Sequence, residues 1–256
     1  MGFELIYLGI GVVSGIIAGL LGIGGGIIIV PALYYTFLTK GSEHPMQRAI
    51  ASSLVIIFVT TLFATWLHNK RGKNVNYKIL KLLIPGLVIG CIAGAELAYL
   101  LPSPILRSIF GAITIGIGVY FLIPKLPVLT ISEKPGPLLV LFGFLIGALS
   151  SLLGIGGGVF TIPTLLAYKI PATHAIAISS AATMTTAFIG TIAYSFVAKQ
   201  MHLENLIELN AFFWITAASM CATPIGVKLA LRLPSHKIKQ IFGLVMALTG
   251  ISLVLV

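Results

Sequence analysis

No aspartate occurs in this chain, and the six carboxylates it carries are all glutamate. Hydrolytic and metal-assisted chemistry needs close pairs of acids, an HExxH motif or a Ser/His/Asp constellation, and none is present, so the chain does not read as an enzyme. Charged residues of both signs amount to only 9%, against about 25% in a soluble domain. The two cysteines, Cys91 and Cys221, both fall in apolar runs, where a thiol serves as a small hydrophobe. No Cys/His spacing suggests a metal site, and no motif points to a cofactor. The opening MGFELIYLGIG has Glu4 and no Lys or Arg ahead of its apolar residues. A cleavable signal opens on a basic segment, so this stretch reads as the first membrane segment of the mature chain. Alternating segments of the barrel type are absent as well, which leaves helices.

What is there is apolar. Hydrophobic residues make up 58% of the chain and the mean hydropathy is +1.09. Runs at 49–67, 79–101, 105–123, 175–198, 211–231 and 238–256 reach the roughly 20 residues that cross about 30 Å of hydrocarbon. The expectation is an all-α integral protein of the cell membrane, with the lipid bilayer as its solvent.

The chain also repeats itself. LLGIGGG at 20–26 returns at 152–158, an offset of 132, and at the same offset Pro31 meets Pro163 and LPSPILRSIFG (101–111) meets LPSHKIKQIFG (233–243). Between these blocks the register slips: AIASS ending at Ser53 matches AIAISS ending at Ser180, an offset of 127. The second copy is therefore expected to lose about five residues from the loop before that helix. Two units follow, residues 1–124 and 138–256, joined by a linker at 125–137, KLPVLTISEKPGP, with its three prolines. Duplicated units of this kind mark secondary transporters that bind substrate where the units meet.

Charge decides how the units are oriented. Residues 5–37 as one helix would run to about 50 Å, too long for one crossing, so a break at the glycines and a return is favoured. If each glycine segment returned to its starting side, 12 of the 16 basic residues would share one side, leaving Lys40, Arg48, Arg107 and Lys199 on the other. If it crossed instead, the split would be eight to eight. Cytoplasmic loops are rich in Lys and Arg, so the expected fold is two inverted repeats, each a Gly-broken helical hairpin plus three transmembrane helices. The +10 net charge is then mostly topology signal. The basic stretch at 67–81 lacks the aromatic interleaving of a nucleic-acid surface, and no nucleic-acid partner is expected.

The glycines fall into two groups. Gly11 and Gly15, Gly90 and Gly94, and Gly143 and Gly147 are four apart, the spacing by which small residues let membrane helices approach. Gly24, Gly25 and Gly26, with Gly156, Gly157 and Gly158, are consecutive and cannot share a helix face, so they suit a break. A dinucleotide fingerprint would need glycine where Ile27 and Val159 stand. Pro31 and Pro163 are expected near the first turn of the helices that follow. Each half-helix would present unpaired amides and the positive end of its dipole to a cavity, a place for an anion. On this reading a methyl group at Gly25 or Gly157 blocks the approach of that anion.

Paired LLGIGGG segments each followed by proline, AIASS and AISSA opening the next helices, the His68 to Gly72 turn and the LPS…IFG endings together resemble the TauE/SafE sulfite-exporter family, also called the toluene-sulfonate uptake permease family. The resemblance covers nearly the whole chain. It implies a permease or exporter for a small sulfur-containing anion such as sulfite or an organic sulfonate.

Other polar candidates line the same helices. Ser52 and Ser53, with their counterparts Ser179 and Ser180, lie beside the proposed breaks and suit an oxyanion through their hydroxyl donors. Thr60, Thr61, Thr183, Thr185 and Thr186 are near them, with no facing determined. Glu96 is the one carboxylate well inside an apolar run, and with His68 it is a candidate for proton coupling. His174 is the weaker histidine candidate. The leading function is a secondary transporter working by alternating access, and the alternative is a passive anion channel.

Overall fold

The computed structural model describes residues 2–70, 76–123, 136–200 and 206–255. The linker and the 71–75 loop lie largely outside the described residues. Ten helices are found among those described: α1 (Gly2–Leu21), α2 (Gly26–Thr39), α3 (Pro45–Lys70), α4 (Tyr77–Leu100), α5 (Ser103–Leu122), α6 (Leu138–Leu153), α7 (Gly158–Ala167), α8 (Ala172–Gln200), α9 (Leu209–Arg232) and α10 (Ser235–Val254). Seven of them, all but α2, α6 and α7, are long and apolar enough to cross a membrane. This is a multi-pass membrane protein.

Local chemistry sets the ends. α6 stops where Gly154 turns left-handed at φ 67°, and the Ile155 amide donates back to the Ser150 carbonyl. α2 and α7 begin after Gly25 and Gly157, at φ 79° and 69°, a region where a side chain is strained. Pro102 and Pro234 cap α5 and α10, ending the preceding helix and starting the next within three residues. The helices begin at the glycines themselves, so Pro31 and Pro163 are each the sixth residue of α2 and α7 rather than first-turn residues. Each ring therefore removes one interior hydrogen bond, from the carbonyls of Ile27 and Val159.

The register slip also has a different origin from the one the sequence suggests. α2 has 14 residues and α7 has 10. One helical turn was lost from α7, and the loop before α8 is only slightly shorter than its counterpart.

Glycine contacts show how the helices run. Gly11, Gly15 and Gly19 of α1 face Ile215, Ser219 and Thr223 of α9 in ascending order, and Gly86, Gly90 and Gly94 of α4 face α6 between Val140 and Ala148 likewise. Both pairs are parallel. Gly111 and Gly118 of α5 meet Gly250 and Gly243 of α10, so that pair is antiparallel. α3 lies along α8 at the centre. Each of these four pairings joins a helix of the first unit to one of the second.

Hydrogen bonds tie one face together. Lys40, just past α2, donates to the Tyr7 hydroxyl of α1 at 3.1 Å and to Glu208 before α9 at 2.9 Å. Gln47 of α3 donates to the Leu101 carbonyl at the end of α4 at 2.8 Å. α1 therefore enters and α2 leaves at the same face. α6 runs parallel to α4, which ends at that face, so α6 starts from the opposite one, where Lys239 lies.

Candidate functional site

Depth places the glycines. From the Lys40 face α2 reaches inward about 21 Å, and from the Lys239 face α7 reaches about 15 Å, at 1.5 Å per residue. Together these come to roughly the thickness of a bilayer, and the two apexes meet inside it.

The meeting is tight. A Cβ added at Gly26 would stand 2.7 Å from the Gly154 carbonyl oxygen, and one at Gly158 would stand 2.8 Å from the Ile23 Cα. Gly24 and Gly156 press against the same two side chains, Ile57 of α3 and Thr183 of α8. Two broken helices thus point their N-termini into one enclosed region walled by α3 and α8. Ile28 and Ile29 donate to the Gly25 carbonyl, Phe160 and Thr161 to the Gly157 carbonyl, and Gly158 to Gly156. The amides of Gly26, Ile27, Gly157 and Val159 have no acceptor among the described residues. Unpaired amides at a helix start are what an anion binds.

The four candidate serines divide. Ser53 donates to the Gly154 carbonyl at 3.0 Å and Ser180 to the Gly22 carbonyl at 3.5 Å. Gly22 and Gly154 are repeat mates, so each unit's serine clasps the other unit's glycine segment. Ser179 donates to the Gly158 carbonyl at 3.3 Å. A hydroxyl has one proton, and in these three it is already engaged. Ser52 lies elsewhere: its oxygen accepts from the Glu208 amide at 3.1 Å.

Of the other candidates, Thr61 lies against Gly24 and Thr186 against Gly157. Glu96 and His174 are exposed. His68 belongs to α3, and its side chain lies outside the described ones. Thr60, Thr61, Thr185 and Thr186 each donate to a carbonyl of their own helix. Thr183 does not: its hydroxyl is fully buried and has no partner among the described residues. A signal for it was available, since Ser179, Thr183 and Thr186 follow the i, i+4, i+7 spacing of one helix face.

A cavity of about 100 Å³ leads toward the glycines from the Lys239 face. It is lined by Ile23, Gly158, Val159, Phe121 and Phe242, with exposed Lys239 among its lining residues. On the other face, Glu208 holds Lys40 at 2.9 Å and Arg48 at 3.3 Å. Burial alone would lower the Lys40 ammonium pKa, but its hydrogen bonds to Glu208 and Tyr7 outweigh that and hold it above the ordinary value.

The family model for the sulfite exporter TauE/SafE matches residues 7–253. The chain belongs to this family. A probable membrane transporter protein of Haemophilus influenzae is 30% identical over 99% of this chain and 98% of its own length. Another, from Methanocaldococcus jannaschii, is 28% identical over 96% of this chain and 93% of its own. YunE of Bacillus subtilis, also a probable membrane transporter protein, is 25% identical over 96% of this chain. Each of these three alignments runs over nearly the whole of this chain.

Proposed function

We propose that this protein is a secondary transporter for a small sulfur-containing anion such as sulfite or an organic sulfonate, working by alternating access. The observation that carries the reading is the meeting of two broken helices, with unpaired amides at their starts, at bilayer depth. An oxyanion there is stabilised by amides and helix dipoles without a trapped ion pair, so it can leave as well as enter. The two units act as inverted repeats about that site, supported by hairpins that enter from opposite faces. The basic Lys239 face is cytoplasmic, and the cavity that opens from it represents the inward-open state. The Lys40–Glu208–Arg48 cluster closes the outer face.

Flux measurements test this. Purified protein in proteoliposomes, offered sulfite, sulfate, thiosulfate, sulfoacetate and taurine with and without a pH gradient, should show saturable flux of at least one anion, stimulated by counter-flow. Non-saturable flux without counter-flow would instead support a passive anion channel.

A further inference from the structure

We propose that the anion is held at only one of the two broken helices, the start of α7, and that Thr183 supplies the side-chain hydrogen bond that recognises its oxygen. This rests on the anion-transport reading and removes the two-fold symmetry from its site.

The two helix starts are not alike. Beside Gly26, the places a ligand would need are taken by the Ile57 side chain at 2.6 Å and the Gly154 carbonyl oxygen at 2.7 Å from an added Cβ. A carbonyl oxygen repels an anion. Beside Gly158 the Ile23 Cα and Cγ2 stand as close, at 2.8 and 2.9 Å, but the polar neighbour there is the Thr183 hydroxyl oxygen, at 2.8 Å. A donor stands at α7 where an acceptor stands at α2.

Thr183 is also the hydroxyl left over. In membrane helices threonine ordinarily bonds back to the preceding turn, as Thr185 and Thr191 of α8 do, to Ala181 and Ala187. Thr183 forgoes this, is 0% exposed, and has no partner among the described residues. The other buried hydroxyls without partners among the described residues, Thr65, Ser151, Thr216 and Ser219, are not among the nearest neighbours of Gly24, Gly156 or Gly158. A buried hydroxyl without a partner is costly unless a ligand completes it.

Access agrees with this placement. The cavity from the Lys239 face is lined by Gly158 and Val159 and not by Gly26 or Ile27. The lining ends at Gly158 and Val159, and the Thr183 hydroxyl stands behind Gly158 rather than in the lining, so an oxyanion that reaches the helix start takes the amide of Val159 and then that hydroxyl from α8. The ligand class is a small sulfur oxyanion, with one oxygen on each donor.

The test uses the full chain purified in detergent, with sulfite, thiosulfate and sulfoacetate as probes, read by equilibrium binding and by ligand-induced shift in Tm. Thr183→Val keeps the shape and removes the hydroxyl, and Thr183→Ser restores it. Thr183→Val should weaken binding by about tenfold or more, as expected for one hydrogen bond to a charged group, with Tm in the absence of ligand nearly unchanged. Thr183→Ser should bind within about threefold of wild type, the uncertainty usual for one contact. Saturation should occur at one anion per chain. If Thr183→Val does not fold, Thr183→Ala compared with Thr183→Ser isolates the same hydroxyl. Equal affinity with and without the hydroxyl, or two anions per chain, overturns this inference and leaves the transporter reading standing. A wild-type protein that binds none of the three anions overturns both.

Discussion

A methyl group added at Gly25 would point at the Ser14 carbonyl oxygen, 2.8 Å away, and one at Gly157 at the Thr186 hydroxyl, 3.0 Å away. Neither points at open space that an anion would use. Both residues are also left-handed, where an alanine costs about 1–2 kcal/mol. Gly25→Ala and Gly157→Ala are therefore expected to lower Tm and folded yield, and flux only in proportion. A well-folded variant with unchanged Tm would contradict the backbone geometry. Ser53 makes a second prediction at this scale. Ser53→Ala strands the buried Gly154 carbonyl and should cost about 1–3 kcal/mol, while Ser180→Ala, which breaks a bond of 3.5 Å, should cost less. Thermal unfolding of the two variants side by side gives the order.

At the scale of elements, helix pairs depend on which glycines lack room. A Cβ at Gly226 of α9 runs into the Ile16 carbonyl of α1, whereas one at Gly9 of α1 meets nothing within 4 Å. Gly226→Ala should push α1 and α9 apart and destabilise the protein. Gly9→Ala should be neutral or raise stability by up to about 1 kcal/mol through helix propensity. If the two variants unfold at the same temperature, the parallel α1–α9 seam is wrong. The Glu208 cluster joins the end of α2, the start of α3 and the start of α9. Its ion pairs are partly exposed and worth at most about 1 kcal/mol each, so Glu208→Gln should barely move Tm. It should instead loosen the outer face, seen as faster reaction of an Ala51→Cys variant with an impermeant maleimide; an unchanged rate would mean that the cluster does not gate. Lys40 titrates above the ordinary lysine value of 10.5, so its contribution is complete below that pH and is lost only above it. On the lysine side, the latch does not switch near neutrality.

For the whole molecule, the four closest pairings all join one unit to the other, so neither unit has a partner for its glycine faces alone. The alternating access proposed above would require bundles that cut across the repeat boundary, such as α1 with α9 moving against α4 with α6. The topology is tested by labelling. Cysteines placed near Met1 and in the 71–75 loop should react from opposite sides of an intact cell. Reaction of both from one side would remove the inverted arrangement and with it the cytoplasmic assignment of the Lys239 face.

By itself the sequence determined the membrane setting, the helical class and the two breaks, and it proposed the return of each hairpin. Hydropathy, glycine runs and the placement of Lys and Arg act locally or by simple side counting, and need no knowledge of neighbours. It also contained the pairing glycines, because a four-residue spacing already implies a helix face. Tertiary structure alone decided the rest. Pro31 reads as a first-turn residue in the sequence, but the start of α2 depends on how tightly Gly24 packs against Ile57 and Thr61, Gly25 against Ser14 and Gly26 against Ile57. Ser52 and Ser53 are adjacent in sequence yet serve different ends, one at Glu208 and one at Gly154, because adjacent residues of a helix point about 100° apart. α8 spreads its apolar residues around every side, so the spacing of Ser179, Thr183 and Thr186 gives a shared face while no hydrophobic stripe shows that this face meets the break. The fold turns Thr183 toward Gly158 and leaves Ile57 opposite Gly26, and that asymmetry arises only where the two units meet.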